Sequence, residues 1–502
     1  MFESAKTNPQ GLALDDLTRQ RTWAELADRC ARIAHLLRDV LEVRPNEHAA
    51  MLMGNRAESV ELTLGAILAG VWLTPINHHL QAAEVAYIIE DSGARVLFAD
   101  AEHEAIARRS AAPRIVLIGA ELDAALAAVS DEPLPLSGPA GATMIYTSGT
   151  TGRPNGVKRA RPATLGAALA AAAAAGRALG LDGSGAHLVT GPLYHAAPLL
   201  FAVYDQLNGA PIVIMPRWDA AGMLSLVQER AVRHTHLVPT NFVRLLRVED
   251  DVRRAFDVSS LRLVLHGAAP IAPAVKYRMI EWWGPILVEY WGATEGGFCT
   301  LVDSADWLAH PGTVGRATAN FEVFAVDAHG RRLRPGEVGM LYSRHKYLDR
   351  VFEYHGAAEK TAASHLEPGV FTTGDVGRVD ADGYVYLTDR AASVIVSGGV
   401  NLYPAEIEQV LQQHPAVADA CVFGIPDDEW GESAKAAVEL IDERRASPGL
   451  AADILEFARA RLAGYKVPRS IDFVRQLPRH PTGKLHARLL RDRYWKGRER
   501  NI

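Results

Sequence analysis

The stretch Tyr146-Thr147-Ser148-Gly149-Thr150-Thr151-Gly152-Arg153-Pro154-Asn155-Gly156 constrains this chain more than any other. It follows an apolar run, Ala142 to Tyr146, that reads as a buried strand, and a helical pattern resumes near Ala163. Strand, glycine-rich loop, helix is the order that aims bare backbone N–H groups at a phosphate. Glycine permits close approach of the backbone, and the hydroxyls of Thr147, Ser148, Thr150 and Thr151 can donate to phosphate oxygens or reach a metal. An ordinary surface loop has the same composition. A Walker loop is excluded, because that motif needs Lys directly after its second glycine, and Val157 follows Gly156 instead.

At 502 residues the chain is too long for one core, so two or more domains are expected. Its 48% hydrophobic and 22% charged content is that of a globular protein, and a net charge of −6 argues against a general nucleic-acid binder. Cys30, Cys299 and Cys421 are odd in number and far apart. They offer neither a disulfide framework nor metal spacing, which fits a reducing cytoplasm. The opening Met1-Phe2-Glu3-Ser4 lacks a basic segment followed by an apolar one, so no signal peptide is expected. The alanine-rich tract Leu165 to Leu179 is too short and too weakly hydrophobic to span a bilayer, and it reads as a packed helix. Arg488 to Arg500, with Tyr494 and Trp495, reads as a solvated terminal helix ahead of a weak peripheral membrane contact.

Residues 1 to about 140 alternate helical and short apolar runs, the pattern of βαβ units. Thr22 to Leu37 carries apolar residues at helical spacing, with Thr22 as N-cap and Glu25 three residues later. Strands are expected at Ala49 to Met53, Val96 to Ala99, His187 to Thr190, Leu261 to Leu265 and Ile286 to Tyr290. Residues 320 to 389 switch to period-two alternation, and Asp382-Gly383 between apolar runs signals a hairpin in a small antiparallel sheet. Helices and strands then alternate to Arg479-His480-Pro481-Thr482-Gly483-Lys484.

The order Thr-Ser-Gly-Thr-Thr-Gly-x-Pro-x-Gly resembles the signature loop of the adenylate-forming acyl-CoA synthetase superfamily, the AMP-dependent synthetases and ligases. Further stretches resemble its motifs in order: Thr22 to Leu26, Asn55 with Glu58, Asp91 to Ala94, Pro192 to Pro198, His266 to Pro270, Trp291-Gly292-Ala293-Thr294-Glu295, Thr373-Gly374-Asp375, Asp389-Arg390, Ser397-Gly398-Gly399 and Pro481 to Lys484. The wording of 192–198 and 353–361 is most similar to bacterial fatty-acyl and bile-acid-type CoA ligases.

The resemblance implies a large α/β N-terminal domain of βαβ layers plus a small antiparallel sheet, residues 1–389. It is hinged to a mobile α/β C-terminal domain, 390–502. It implies ATP, Mg²⁺ and CoA as partners of a small carboxylic acid. ATP would be held by Thr147, Ser148, Gly149, Thr150, Thr151, Gly152, Gly267, Ala268, Ala269, Tyr290, Trp291, Gly292, Asp375 and Arg390. Thr294 would contact phosphate and Glu295 would hold Mg²⁺, a hard cation that needs oxygen ligands. Asp375 would accept from a ribose diol. Lys484 and His195 would act at the reacting groups, and Ser397, Gly398 and Gly399 would line the CoA passage. His195, Leu199, Thr240, His266, Gly267, Ala293, Gly296 and Gly297 would line the acid pocket.

That lining is small and mostly neutral, and 192–198 holds no carboxylate to pair an α-ammonium, so a hydrophobic fatty, aryl or alicyclic acid is expected. Each residue also has a plainer reading: a structural histidine, a loop glutamate, a turn aspartate, a solubilising lysine. Two departures from the family pattern stand out. Asn155 occupies the place of the usual Lys, which predicts weakened ATP use. Ala391-Ala392 replaces a hinge that is normally charged. Nothing after Lys484 resembles a carrier-protein domain, so a diffusible acceptor is expected, and a homodimer stays open.

Overall fold

The computed structural model describes residues 3–147, 154–269, 271–390, 393–397, 400–427, 430–462, 464–479 and 485–496. The early βαβ run folds as its alternation predicts. Strands His48–Leu52, Trp72–Ile76, Ala94–Ala99, Ile115–Leu117 and Ala142–Thr143 make a five-stranded sheet in which every pairing is parallel. The helix Trp23–His35 starts in a capping box. The Thr22 hydroxyl accepts from Glu25 N at 3.2 Å, and the Glu25 carboxylate accepts from Thr22 N at 2.8 Å.

The helix Ala57–Ala69 is buried on every side except at Ile67, as an all-round apolar helix must be. Its two buried carboxylates are matched by guanidinium groups. Glu58 meets Arg19 at 2.9 Å and Arg56 at 2.7 Å, while Glu61 meets Arg21 at 3.1 Å and Arg29 at 2.8 Å. Without such partners, each would carry a desolvation cost of about several kcal/mol.

The first strand departs from simple alternation. Leu12–Asp15 crosses to a nine-stranded sheet, where Leu14 lies parallel to Ile212. In space that sheet runs Arg316–Ala317, Gly297–Asp303, Leu287–Ala293, Leu263–His266, His234–Leu237, His187–Val189, Ile212–Ile214, Leu12–Asp15, Gln20–Thr22. One core joins the two sheets. Leu26, Val60 and Ala202 from three helices meet Met51 and Phe98 of one sheet and Leu14 and Ile214 of the other.

The third of these helices, Ala196–Asn208, is pinned by Asp205. Its Oδ2 lies 3.0 Å from His187 Nδ1 and 2.8 Å from His234 Nδ1, on two neighbouring strands, and its Oδ1 accepts from Gly183 N at 3.0 Å. Burial alone would raise this carboxyl, but the hydrogen bonds from both histidines outweigh it and hold the group at about 2.

The glycine-rich stretch corrects the sequence reading. Ile145–Thr147 is followed by a strand, Asn155–Arg159, and not by a helix. The two pair antiparallel, with Thr147 opposite Asn155. The first helix beyond, Leu165–Ala178, starts well past the loop. The described residues on either side of the loop are therefore paired strands of a hairpin. Phe352–Tyr354 pairs with Asn155–Arg159 to complete a three-stranded sheet.

Residues 321–390 supply the expected antiparallel sheet. Its Asp382-Gly383 turn joins Asp375–Val379 to Val385–Arg390, with Gly383 at φ +85°. Beyond it stands another sheet with its own core, built on Ile407, Leu411, Val422, Val438 and Ile454. The terminal helix Ala487–Trp495 docks one face there and leaves the other in solvent. Leu490 is buried, and Trp495 Nε1 donates to Gly424 O at 2.9 Å. Among the described residues, no helix is long and apolar enough to cross a membrane. All three cysteines are buried thiols.

Asp205→Ala removes the acceptor for three donors and is expected to lower the unfolding free energy by about 3–5 kcal/mol in urea titrations. The folded carboxyl lies below its unfolded value of about 3.9. Its contribution is therefore complete above that pH and disappears as pH falls toward 2, so variant and native curves should converge in acid.

Candidate active site

Three sheets bring edges together at the tip of one hairpin. The strands Leu287–Ala293 and Gly297–Asp303 pair antiparallel and leave residues 294–296 at the turn. The turn is tight because two glycines let it be. A Cβ on Gly292 would sit 1.8 Å from Gly297 O, and one on Gly296 would sit 2.4 Å from the Phe371 ring. Glu295, at this tip, is buried, and its Oε1 accepts from Tyr354 Oη at 2.8 Å. Tyr354 belongs to the sheet that carries the glycine-rich loop, so this one bond ties the hairpin tip to the neck of that loop. Sequence reading missed Tyr354, whose partner lies far away in the chain. Burial and the neighbouring Glu295 carboxylate push its phenol well up.

The third edge is Asp375, the first residue of its strand. Its Oδ2 accepts from Trp291 Nε1 at 3.0 Å and from Thr373 Oγ1 at 2.8 Å. Arg390 pairs with Asp375 across the sheet, and the Arg390 side chain lies outside the description. Parallel to Leu287–Ala293 runs Leu263–His266, which ends in Gly267-Ala268-Ala269. Ala268 adopts φ +66°, a strained left-handed conformation of the kind that clusters at functional loops. Thr147 marks the described end of the glycine-rich loop. Tyr146 Oη is bonded to Asp91 at 2.5 Å, and Tyr87 Oη donates to Pro154 O at 3.0 Å, so both ends of the loop are held.

Alternation along Leu287–Ala293 separates Tyr290 from Trp291. Trp291 faces Asp375. Tyr290 lies instead in an apolar cluster with Leu265 and Phe201, its hydroxyl 3.0 Å from His236 Nε2. Burial pulls His236 down to about 3, which keeps it neutral. Tyr290 also underlies Gly267, where a Cβ would come 2.6 Å from Tyr290 O. Its carbonyl and ring lie against the Gly267 backbone.

The residues expected to line the acid lie in several different surroundings. Leu199 is fully buried in the core between the sheets. His266 is fully buried on the opposite face of its sheet, 5.2 Å from the Phe242 ring and 3.9 Å from Glu289, and burial followed by Lys276 drives its imidazole well down. Gly296 and Gly297 present their Cα faces to Phe371 and Arg159. Thr240 and Ala293 are part-exposed. Residues not foreseen, Ala197, Phe201 and Phe298, pack with Leu265 and Tyr290 in an apolar cluster on the helix that follows His195. His195 itself precedes the helix Ala196–Asn208, and its N donates to Pro192 O at 3.1 Å.

Ser148, Gly149, Thr150, Thr151, Gly152, Gly398, Gly399 and Lys484 lie outside the described residues. Their frames are described. Ser397 pairs with Val400 across the Gly398-Gly399 connection, and Arg479 bridges Leu485 around 480–484.

A family model described as AMP-binding enzyme matches residues 1–352, and one described as AMP-binding enzyme C-terminal domain matches 406–484. Feruloyl-CoA synthase of an Amycolatopsis species is 34% identical over 495 residues, covering 98% of this chain and 97% of that protein. The long-chain-fatty-acid–CoA ligase FadD13 of Mycobacterium tuberculosis is 33% identical over 485 residues, covering 93% and 92%. The solved structure of o-succinylbenzoate CoA synthetase from Bacillus subtilis, in complex with its acyl-adenylate intermediate, superposes with a TM-score of 0.82 at 28% identity, covering 100% of this chain and 98% of that one. Fold and motif order thus define an adenylate-forming enzyme. The chain belongs to the AMP-binding enzyme family, in the class of AMP-forming acid–thiol ligases.

The hairpin geometry makes a contrast between two glycines testable. Gly292→Ala forces a methyl into the Gly297 carbonyl and should cost at least about 3 kcal/mol of stability. Gly374→Ala meets open space at φ +82° and should cost only about 1–2 kcal/mol. Denaturant melts of the two variants check this; equal losses would contradict the close approach at Gly292.

Proposed function

We propose that this ligase activates a hydrophobic carboxylic acid with ATP and transfers the acyl group to CoA. In the first half-reaction a carboxylate oxygen of the acid bonds to the α-phosphorus of ATP, and pyrophosphate leaves. A carboxylate is a weak nucleophile toward a polyanion, so the site must align the reactants and spread charge. Asp375 accepts from the ribose diol, held in place by Trp291 and Thr373. Gly267, Ala268 and Ala269 leave a flat space for adenine. Thr147, Thr294 and the 148–152 loop donate to the phosphates, and Lys484 supplies positive charge beside the reacting oxygens. His195 stands beside the carboxylate of the acid, whose apolar body meets Phe201 and Phe298.

The donor set also fits Mg²⁺. Glu295 offers one carboxylate with Oε1 engaged by Tyr354, and among the described residues no three acidic, histidine or cysteine side chains gather into a protein cage. Magnesium characteristically binds through one or two carboxylates plus substrate phosphates and water. Held by Glu295, the ion would neutralise phosphate charge.

In the second half-reaction the C-terminal domain, 390–502, turns about the segment after Arg390, withdraws Lys484 and admits CoA past Ser397, Gly398 and Gly399. The thiol sulfur bonds to the acyl carbon, the acyl–phosphate bond breaks, and AMP leaves. The observation that carries this reading is the meeting of Asp375, Trp291, Glu295 and Tyr354 at the neck of the glycine-rich loop. The apolar cluster that Ala197 and Phe201 of the helix after His195 form with Phe298 supports a hydrophobic acid, and the buried thiols suit a cytoplasmic setting.

Pyrophosphate release from ATP over a panel of fatty, aryl and alicyclic acids tests the function. Release sustained only with CoA, with thioester as product, is expected; release that stops near one equivalent with CoA present would point to another acceptor. Lys484→Ala should lose about 10²–10³-fold in adenylate formation while still converting preformed acyl-AMP and CoA to thioester. Adenylate formation at the native rate in that variant would remove Lys484 from the mechanism.

A further inference from the structure

One amide links the five-stranded sheet to loops of the nine-stranded sheet. Asn55 follows the strand His48–Leu52. Its Nδ2 donates to Gly191 O at 2.9 Å and to Met215 O at 3.0 Å, and its Oδ1 accepts from Leu193 N at 2.9 Å. All three partners are backbone groups of the other sheet's connections. Gly191 and Leu193 lie in the loop after His187–Val189, and Met215 follows Ile212–Ile214. That same loop ends in Tyr194 and His195 and turns directly into the helix Ala196–Asn208. It has little other freedom: a Cβ on Gly191 would lie 2.7 Å from the Pro198 ring. The strand end carrying Asn55 is itself anchored, since Gly54 N donates to Asp100 Oδ2 at 3.1 Å.

We infer that Asn55 is a positioning residue for the acid side of the site. It holds the 191–195 loop, and through it His195, at a fixed height over the sheet ends. This rests on the placement of the acid beside His195. An amide is required because the contact set mixes one acceptor with a group that donates twice. Aspartate has the same shape, but when ionised it only accepts, and it would turn an oxygen toward the Gly191 and Met215 carbonyls. Once protonated it can donate again to one of them.

Asn55→Asp therefore carries a distinctive signature. Near pH 8 its kcat/KM for the acid should fall by about 10²-fold, the scale expected for displacing a reacting group by roughly 1 Å. KM for ATP should change less than about twofold, because the nucleotide loops lie on other strands. Lowering the pH toward 6 should restore at least about tenfold of the loss relative to the native enzyme. The native amide does not titrate, so the native profile lacks this limb. A variant deficit that is flat with pH, or one in which acid and ATP parameters decline together with thermal stability, overturns the proposal. A double-mutant cycle of Asn55→Ala with His195→Ala separates the two layers of inference. Non-additive losses in acid kinetics are expected. Additive losses would overturn the role of Asn55 and leave His195 standing, whereas His195→Ala without effect on the acid would overturn both.

Discussion

Everything at the candidate site depends on two backbones passing too close for any side chain between them. Gly292 faces the Gly297 carbonyl at a separation that admits hydrogen alone, and Gly296 lies against Phe371. With those contacts the Leu287–Ala293 and Gly297–Asp303 strands turn in three residues, and the turn sets Glu295 against Tyr354 while Trp291 reaches Asp375. A wider turn would separate the three sheets whose edges supply these groups. Local backbone economy, more than any one charged contact, therefore fixes where the chemistry can occur.

Beneath this surface lies a second arrangement that ordinary stability would not call for. Lys276 is fully buried, its Nζ 2.5 Å from Glu289 and 4.6 Å from the centre of the Trp307 ring. Burial pushes Glu289 up and pulls Lys276 down. Buried pairs of this kind gain little over apolar residues of equal volume, but removing one partner alone is costly. Glu289 lies opposite His266, the last residue of its strand before Gly267.

The sequence disclosed what is local. Thr22 and Glu25 announced a helix start, Asp382-Gly383 announced a hairpin, and the runs at 49–53 and 96–99 announced parallel strands. What it concealed is non-local or one residue out of phase. Asn155–Arg159 carries Lys158 and Arg159 and has no apolar run, and it becomes a strand because Ile145–Thr147 and Phe352–Tyr354 pair with it on either side. Tyr290 and Trp291 look equivalent in a motif, yet strand alternation sends them to opposite faces. Tyr354 gave no signal, because its partner is a distant carboxylate, and Asn55 showed only as part of a motif, because its partners are distant backbone groups. The candidate residues were legible through the order of their motifs; which of them face one another was not.

The insertion of Leu12–Asp15 beside Ile212–Ile214 has a consequence for how the protein is made. Translation proceeds at about 5–20 residues per second, so the first strand emerges roughly 10–40 seconds before its parallel neighbour exists. The five-stranded sheet draws all its strands from the first 143 residues and can close early. Leu14, fully buried in the finished molecule, must meanwhile wait at the ribosome with its apolar side chain uncovered or borrowed by other partners. Formation of the nine-stranded sheet is therefore gated by the clock of synthesis.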